Sequence, residues 1–285
     1  MPIDDNGVGY SDETKEKIAT IHEVADWQYA ILRKEWAKPR KHREPFYYHI
    51  DAYCGTGVNP EDCTESASLQ LLRRLRKEPF PSEVAMIDNG KDKNSGIPNI
   101  ASMRAMLTVV EREGVQLYGK SNHIVIPQLL QPLRHQPLGL IFLDPNGAGR
   151  ANTLRRLLPI IANLGQAQRI DLLLHIGTTG IKRARGAGGS CKDYQWTLDN
   201  ILALSGKNRG FIKRSRCQHG QGWFFILLTN APAGTFKEWV QKGWHELDTP
   251  LGRYLRQIAN YTEEEREQLE NEQSPVTTQT LFELK

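Results

Sequence analysis

At 285 residues, 39% hydrophobic and 8% aromatic, the chain carries enough apolar surface for one large α/β domain or two ordinary ones. It contains no apolar run of about 18 residues and opens on a polar stretch, so the expectation is a cytoplasmic protein with neither a membrane span nor a secretory leader. The net charge of +4 hides an asymmetry: residues 261–285 hold seven acidic and two basic side chains, which leaves +9 on residues 1–260 and points either to polyanion binding or to a solvated basic surface.

In chain order, Ile18, Ile21, Ala25, Tyr29, Leu32 and Trp36 recur at spacings of three and four and predict an amphipathic helix over 11–37 that covers one face of a sheet. It stops near Pro39, and the basic run 38–43 leads into the aromatic and β-branched stretch 46–50, a first strand. That strand breaks at Asp51 into Ala-Tyr-Cys-Gly-Thr-Gly, where Gly55 and Gly57 permit positive φ and close backbone approach to a ligand. A turn of this kind either cradles a nucleotide or merely ends a strand. Residues 66–77 predict a helix with Ala67, Leu71, Leu72 and Leu75 inward and Arg73, Arg74 and Arg76 outward.

A second strand at 84–87 closes on Asp88-Asn89-Gly90, either a carboxylate placed for ribose hydroxyls or an ordinary turn. A helix over 98–113, with Ile100, Met103, Leu107 and Val110 inward and Gly114 as its stop, leads to a third strand at 115–118. Asn122, in Ser121-Asn-His, stands where an adenine contact is expected. The unbroken apolar run 138–143 predicts a strand buried on both faces, ending in Asp144-Pro145-Asn146-Gly147. A helix from Asn152, kinked at Pro159, precedes a fifth strand at 170–175 that ends on His175.

The stretch 182–192 combines glycines with Lys182, Arg183, Arg185 and Lys192 and predicts a mobile basic loop. A helix at 194–204, late strands at 211–217 and 223–229 in an antiparallel hairpin, a helix opened by Thr235 that carries Trp239 and Val240, and a last helix over 250–271 complete the chain. Cys54, Cys63, Cys191 and Cys217 lack zinc-type spacing, so free thiols and no metal are expected.

Strands alternating with helices five times, followed by a hairpin, predict an α/β fold: a doubly wound, mostly parallel seven-stranded sheet with an antiparallel edge strand, of the class I methyltransferase (Rossmann-like) type. Three units are expected: an N-terminal helix and basic hinge (1–45), the methyltransferase-like domain (46–248), and a C-terminal helix with an acidic tail (249–285). A nicotinamide fingerprint needs a third glycine leading into a helix, whereas Gly57 is followed by Val-Asn-Pro-Glu-Asp.

The chain resembles the three-Cys-motif partner proteins from about residue 14 to 284. The resemblance is carried by Tyr-His-Ile-Asp-Ala-Tyr-Cys-Gly-Thr-Gly, Phe-Leu-Asp-Pro-Asn-Gly, Phe-Phe-Ile-Leu-Leu-Thr-Asn and the terminal Thr-Leu-Phe-Glu. It implies a methyltransferase-like fold that takes S-adenosylmethionine. On that basis Asp51, Tyr53, Cys54, Gly55, Gly57, Asp88, Asn89 and Asn122 are cofactor candidates, and Asp144, Pro145, Asn146 and His175 are transfer candidates.

Amino-group methyltransferases of nucleic acids place an aromatic ring after Asp/Asn-Pro-Pro to stack on the extruded base. Asn146 and Gly147 cannot stack, although Asp144 can still orient an amine. His175 is either a proton acceptor or a structural histidine. The leading expectation is methyl transfer to an amino group of nucleic acid, with Lys182, Arg183, Arg185 and Lys192 tracking phosphates. The alternatives are a non-catalytic interaction protein, which binds a protein partner on the same fold, and a methyltransferase of a small molecule or protein.

Overall fold

Tyr47–Asp51 (β1), five residues all buried, forms the centre of one eight-stranded sheet. The computed structural model describes residues 12–37, 46–58, 65–91, 95–131, 137–144, 151–164, 167–177, 200–214, 223–232 and 239–258. The remaining strands are Ser82–Ile87 (β2), Val115–Tyr118 (β3), Leu138–Leu143 (β4), Ile170–Gly177 (β5), Arg209–Arg214 (β6), Trp223–Thr229 (β7) and Trp244–Glu246 (β8). They lie in the order β3-β2-β1-β4-β5-β7-β6-β8. The first five strands are parallel, β7 runs antiparallel between β5 and β6, and β8 is an antiparallel edge on β6.

Helices cover both faces, because successive strand residues point to opposite sides. On one face Tyr47, Met86, Leu140, Phe142, Leu173 and Phe225 pack with Asp12–Trp36 (α1) and Ala67–Leu75 (α2). On the other, Ile50, Ile87, Ile141, Leu143, Leu174 and Ile226 pack with Asn122–Leu130 (α4) and Ala151–Asn163 (α5). Each fully buried Leu or Ile contributes about 1.5–3 kcal/mol, so both layers are needed to hold the central strands. Asn99–Met106 (α3) adds Met103 to the first layer, and Pro250–Ile258 (α6) adds Leu255 to the second.

The sheet is therefore doubly wound and mostly parallel, with one strand more than expected. Residues 239–246 form a turn, a 3₁₀ segment at Val240–Lys242 and β8, so Trp239 and Val240 are not in an α-helix; the start of the helix expected from Thr235 lies outside the described residues. Three residues are too few to show a period of two. The helix expected over 98–113 ends at Met106, and Val110 is 73% exposed rather than inward. The cause is local: the Thr108 amide donates to Glu111 and the Glu111 amide donates back to the Thr108 hydroxyl. This reciprocal pair opens a new turn instead of continuing the old one. The helix α4 falls where only an adenine contact was anticipated.

The basic hinge 38–43, the loop 182–192 and the tail 261–285 lie outside the described residues. Among the described residues, no helix is long and apolar enough to cross a membrane.

Candidate functional site

The carboxyl ends of β1, β2, β4 and β5 bring together Asp51, Gly55, Asp88, Asn122, Asp144 and His175. The chain leaves β1 pinned between its neighbours: the Ala52 amide donates to Phe142 O (3.0 Å) and the Cys54 amide to Ile87 O (3.2 Å). Asp51 is buried, accepts from the Tyr53 amide (2.9 Å) and from the Ser68 hydroxyl (2.5 Å), and so turns inward to shape the loop. Burial pushes its carboxyl up to about 6, against the opposing hydrogen bonds.

Two glycines then play different parts. Among the described residues, nothing lies within 4 Å of where a Cβ on Gly55 (φ +65°) would stand, so its outer side is open toward them. Gly57 (φ +95°) faces Met103 Sδ at 3.1 Å and Leu69 Cδ1 at 3.2 Å, so there the requirement is core packing. Asp88 fixes the turn from the next strand, accepting from the Gly55 amide at 3.0 Å, the Gly90 amide at 2.7 Å and Asn99 Nδ2 at 3.1 Å. Its Oδ2 takes only the Gly55 amide among the described residues and so keeps accepting capacity.

Asn122 Nδ2 donates to Ala52 O (3.4 Å), which ties α4 to the same turn. Asn89 is exposed beside Asp88, and Tyr53 packs partly into the core. Cys54 is a buried free thiol, pushed up by burial out of the reactive range. No group of three or more His, Cys, Asp or Glu among the described residues is arranged to hold a metal.

The other half of the rim pairs its carboxylate with a cation. His175 lies two residues inside β5, not at its end, and its Nδ1 donates to Asp144 Oδ1 at 2.6 Å. The Lys17 ammonium, from α1, donates to Asp144 Oδ2. Burial alone would raise the Asp144 carboxyl, but Lys17 and His175 reverse this and hold it well below the usual range. Burial lowers His175, assisted by Lys17 and opposed by Asp144, so the ring is neutral near pH 7. Its Nε2 is buried with no hydrogen-bond partner among the described residues, and the ring packs on Trp223 (5.5 Å) and Phe225 (5.0 Å).

Lys17 was not anticipated as a site residue. It continues the buried stripe of Ile21, Ala25, Tyr29 and Leu32 by one turn, and that is the signal that would have found it. Pro145, Asn146, Lys182, Arg183, Arg185 and Lys192 lie outside the described residues.

Parallel strands in the order β3-β2-β1-β4-β5, an inserted antiparallel β7 and a glycine turn after β1 define the class I methyltransferase-like, Rossmann-like fold. The sequence matches no family model and no curated protein. Among solved structures, the chain is similar to a protein from Legionella pneumophila str. Philadelphia 1 at 12% identity, over 76% of this chain and 89% of that one, with a TM-score of 0.45. It is similar to the methyltransferase domain of METTL16 at 11% identity, over 80% and 92%, with a TM-score of 0.43. A third is the 16S rRNA (adenine(1408)-N(1))-methyltransferase from Catenulisporales acidiphilia at 12% identity, over 70% and 92%, with a TM-score of 0.38. The fold assignment rests on the strand order.

Proposed function

We propose that the chain is an S-adenosylmethionine-dependent methyltransferase acting on an amino group of nucleic acid, and a relative of the three-Cys-motif partner proteins that works in the cytoplasm. The observation that carries this reading is the open cradle at Gly55, a positive-φ glycine clamped by Asp88 at the carboxyl end of the central strand. A cradle that a Cβ would enter, with a carboxylate oxygen beside it, fits a nucleoside ligand.

The bound cofactor supplies an electrophilic methyl group; the protein's own residues supply position. Asp51 and Ser68 set the turn, Asp88 faces the ligand's hydroxyls, and Asn122 borders the same loop. Asp144, ionised and part-buried, is placed to accept from an amine so that its lone pair is free to attack. His175, neutral and donating through Nδ1, fixes the orientation of that carboxylate.

A second reading, a non-catalytic partner protein of the same fold, is favoured by one observation: the Lys17 ammonium already rests on Asp144. The two part on one assay. Radiolabelled methyl groups from S-adenosylmethionine should transfer to DNA or RNA with the parent chain and fall by about a hundredfold or more with Asp144→Ala. A parent that binds the cofactor yet labels neither polymer would leave the second reading, or a small-molecule or protein acceptor.

A further inference from the structure

The carboxylate assigned to the acceptor is already in contact with an amine of this chain. Lys17 precedes Asp144 by 127 residues, and its ammonium donates to Oδ2 while His175 holds Oδ1. The helix that carries Lys17 has two unlike parts. From Thr20 onward it is fixed to the body by Ile21, Val24, Ala25, Tyr29 and Leu32, all at most 1% exposed. Ion pairs reinforce that part: Glu23 with Lys213, Asp26 with Arg74, and Glu35 with Arg169.

Before Thr20, Lys15 and Ala19 are exposed and Glu16, Lys17 and Ile18 are half-buried. Residues 15–19 of α1 thus reach Asp144 with little buried apolar surface, the condition for local opening at small cost. The Lys17 side chain keeps 24% of its accessibility, so its ammonium has a route to water.

We propose that Asp144 and His175 form a seat for a primary amino group, with Lys17 as its resident and displaceable occupant. The first turns of α1 are then a latch that an incoming amine opens. The proposal rests on the methyltransferase reading only in taking the amine to be the methyl acceptor; the seat itself involves no cofactor. An ammonium on Asp144 and a proton on His175 are alternatives around one carboxylate, since Lys17 and Asp144 are the two charged groups that act on the ring.

The test uses the full chain and n-butylammonium, which copies the Lys17 stem. In Lys17→Met the His175 ring protons, followed by NMR against pH, should titrate at higher pH than in the parent, because a cation that lowers the ring is gone. Added n-butylammonium should bring the midpoint back down in Lys17→Met, leave the parent unchanged at the same concentration, and do nothing in Lys17→Met/Asp144→Asn. An unchanged midpoint in Lys17→Met, or a response that survives loss of Asp144, overturns the proposal.

Should Lys17→Met not fold, amide exchange in the parent decides. High n-butylammonium should speed exchange over residues 16–19 and leave 24–32 unchanged, and no difference between the two stretches removes the latch. S-adenosylmethionine titration alongside separates the failures. Cofactor binding without n-butylammonium rescue removes the seat and keeps the methyltransferase reading; rescue without cofactor binding does the reverse.

Discussion

The two halves of the rim solve different problems. Around β1 and β2 the Asp51 and Asp88 carboxyls are held by backbone amides, the Ser68 hydroxyl and the Asn99 amide, and among the described residues space is left beside Gly55. Around β4 and β5 the carboxylate of Asp144 takes the Lys17 ammonium of α1 on Oδ2 and the neutral His175 ring on Oδ1. An empty cradle is a matter of backbone conformation and can be preformed at little cost. Burial of the Asp51 carboxyl is met by neutral donors and an upward pKa shift, whereas burial of Asp144 is met by a cation that the chain itself provides.

The contrast is sharpest at Asp144, where the largest effect is expected. Asp144→Ala should lower methyl transfer by about a hundredfold or more while leaving cofactor affinity near that of the parent. Equal loss of cofactor binding would show that the two halves are not separable.

Gly57 and Gly55 test the cradle side. Gly57→Val drives a branched side chain against Met103 and Leu69 from a left-handed backbone and should cost roughly 2–4 kcal/mol of folding stability, read by denaturant titration. Gly55→Val meets open space, so only the backbone term of about 1–2 kcal/mol applies to folding. Similar destabilisation of the two variants would deny the difference between packing and cradle.

Away from the rim, Asp171 offers a smaller effect. It lies buried in β5, accepts from Gln28 Nε2 at 2.7 Å, and is pushed up to about 6 mainly by burial. A carboxyl raised on folding adds stability that is fully present below its unfolded value near 4 and is lost as pH rises through about 6. Asp171→Asn should therefore flatten the decline between pH 4 and 7 by up to about 3 kcal/mol, measured by denaturant titration at each pH. Asp51, raised in the same way, leaves part of the decline in place.

The smallest effect concerns the basic loop. Reversing Lys182, Arg183 and Arg185 to Glu should weaken nucleic-acid binding and flatten its salt dependence by nearly one unit for each phosphate no longer neutralised. Parent-like affinity and slope in that variant would detach the loop from the polymer.

Much of the scaffold was legible because its signals are local. The continuous apolar runs marked 138–143 and 223–229 with the observed limits, since strands buried on both faces need no alternation. The glycine turn and the three strand-end carboxylates were legible for the same reason. The end of α3 was written in Thr108-Val-Val-Glu111, but Val110 matched the helical period and masked it. The edge β8 is too short to carry a pattern.

Lys17 was hidden for another reason. A lysine on an amphipathic helix reads as solvated, and its partner lies 127 residues away, a distance that only the closed sheet removes. The same holds for the Tyr47–Gln28–Asp171 chain of hydrogen bonds, in which three elements meet in the interior.

The central claim is that the turn after β1 receives S-adenosylmethionine, and calorimetric titration of the parent and of Gly55→Val with S-adenosylmethionine and S-adenosylhomocysteine tests it most directly. The expected result is saturable binding of both by the parent, weakened tenfold or more, about 1.4 kcal/mol, in a folded Gly55→Val. Absence of binding to the parent, or equal affinity in Gly55→Val, would contradict it.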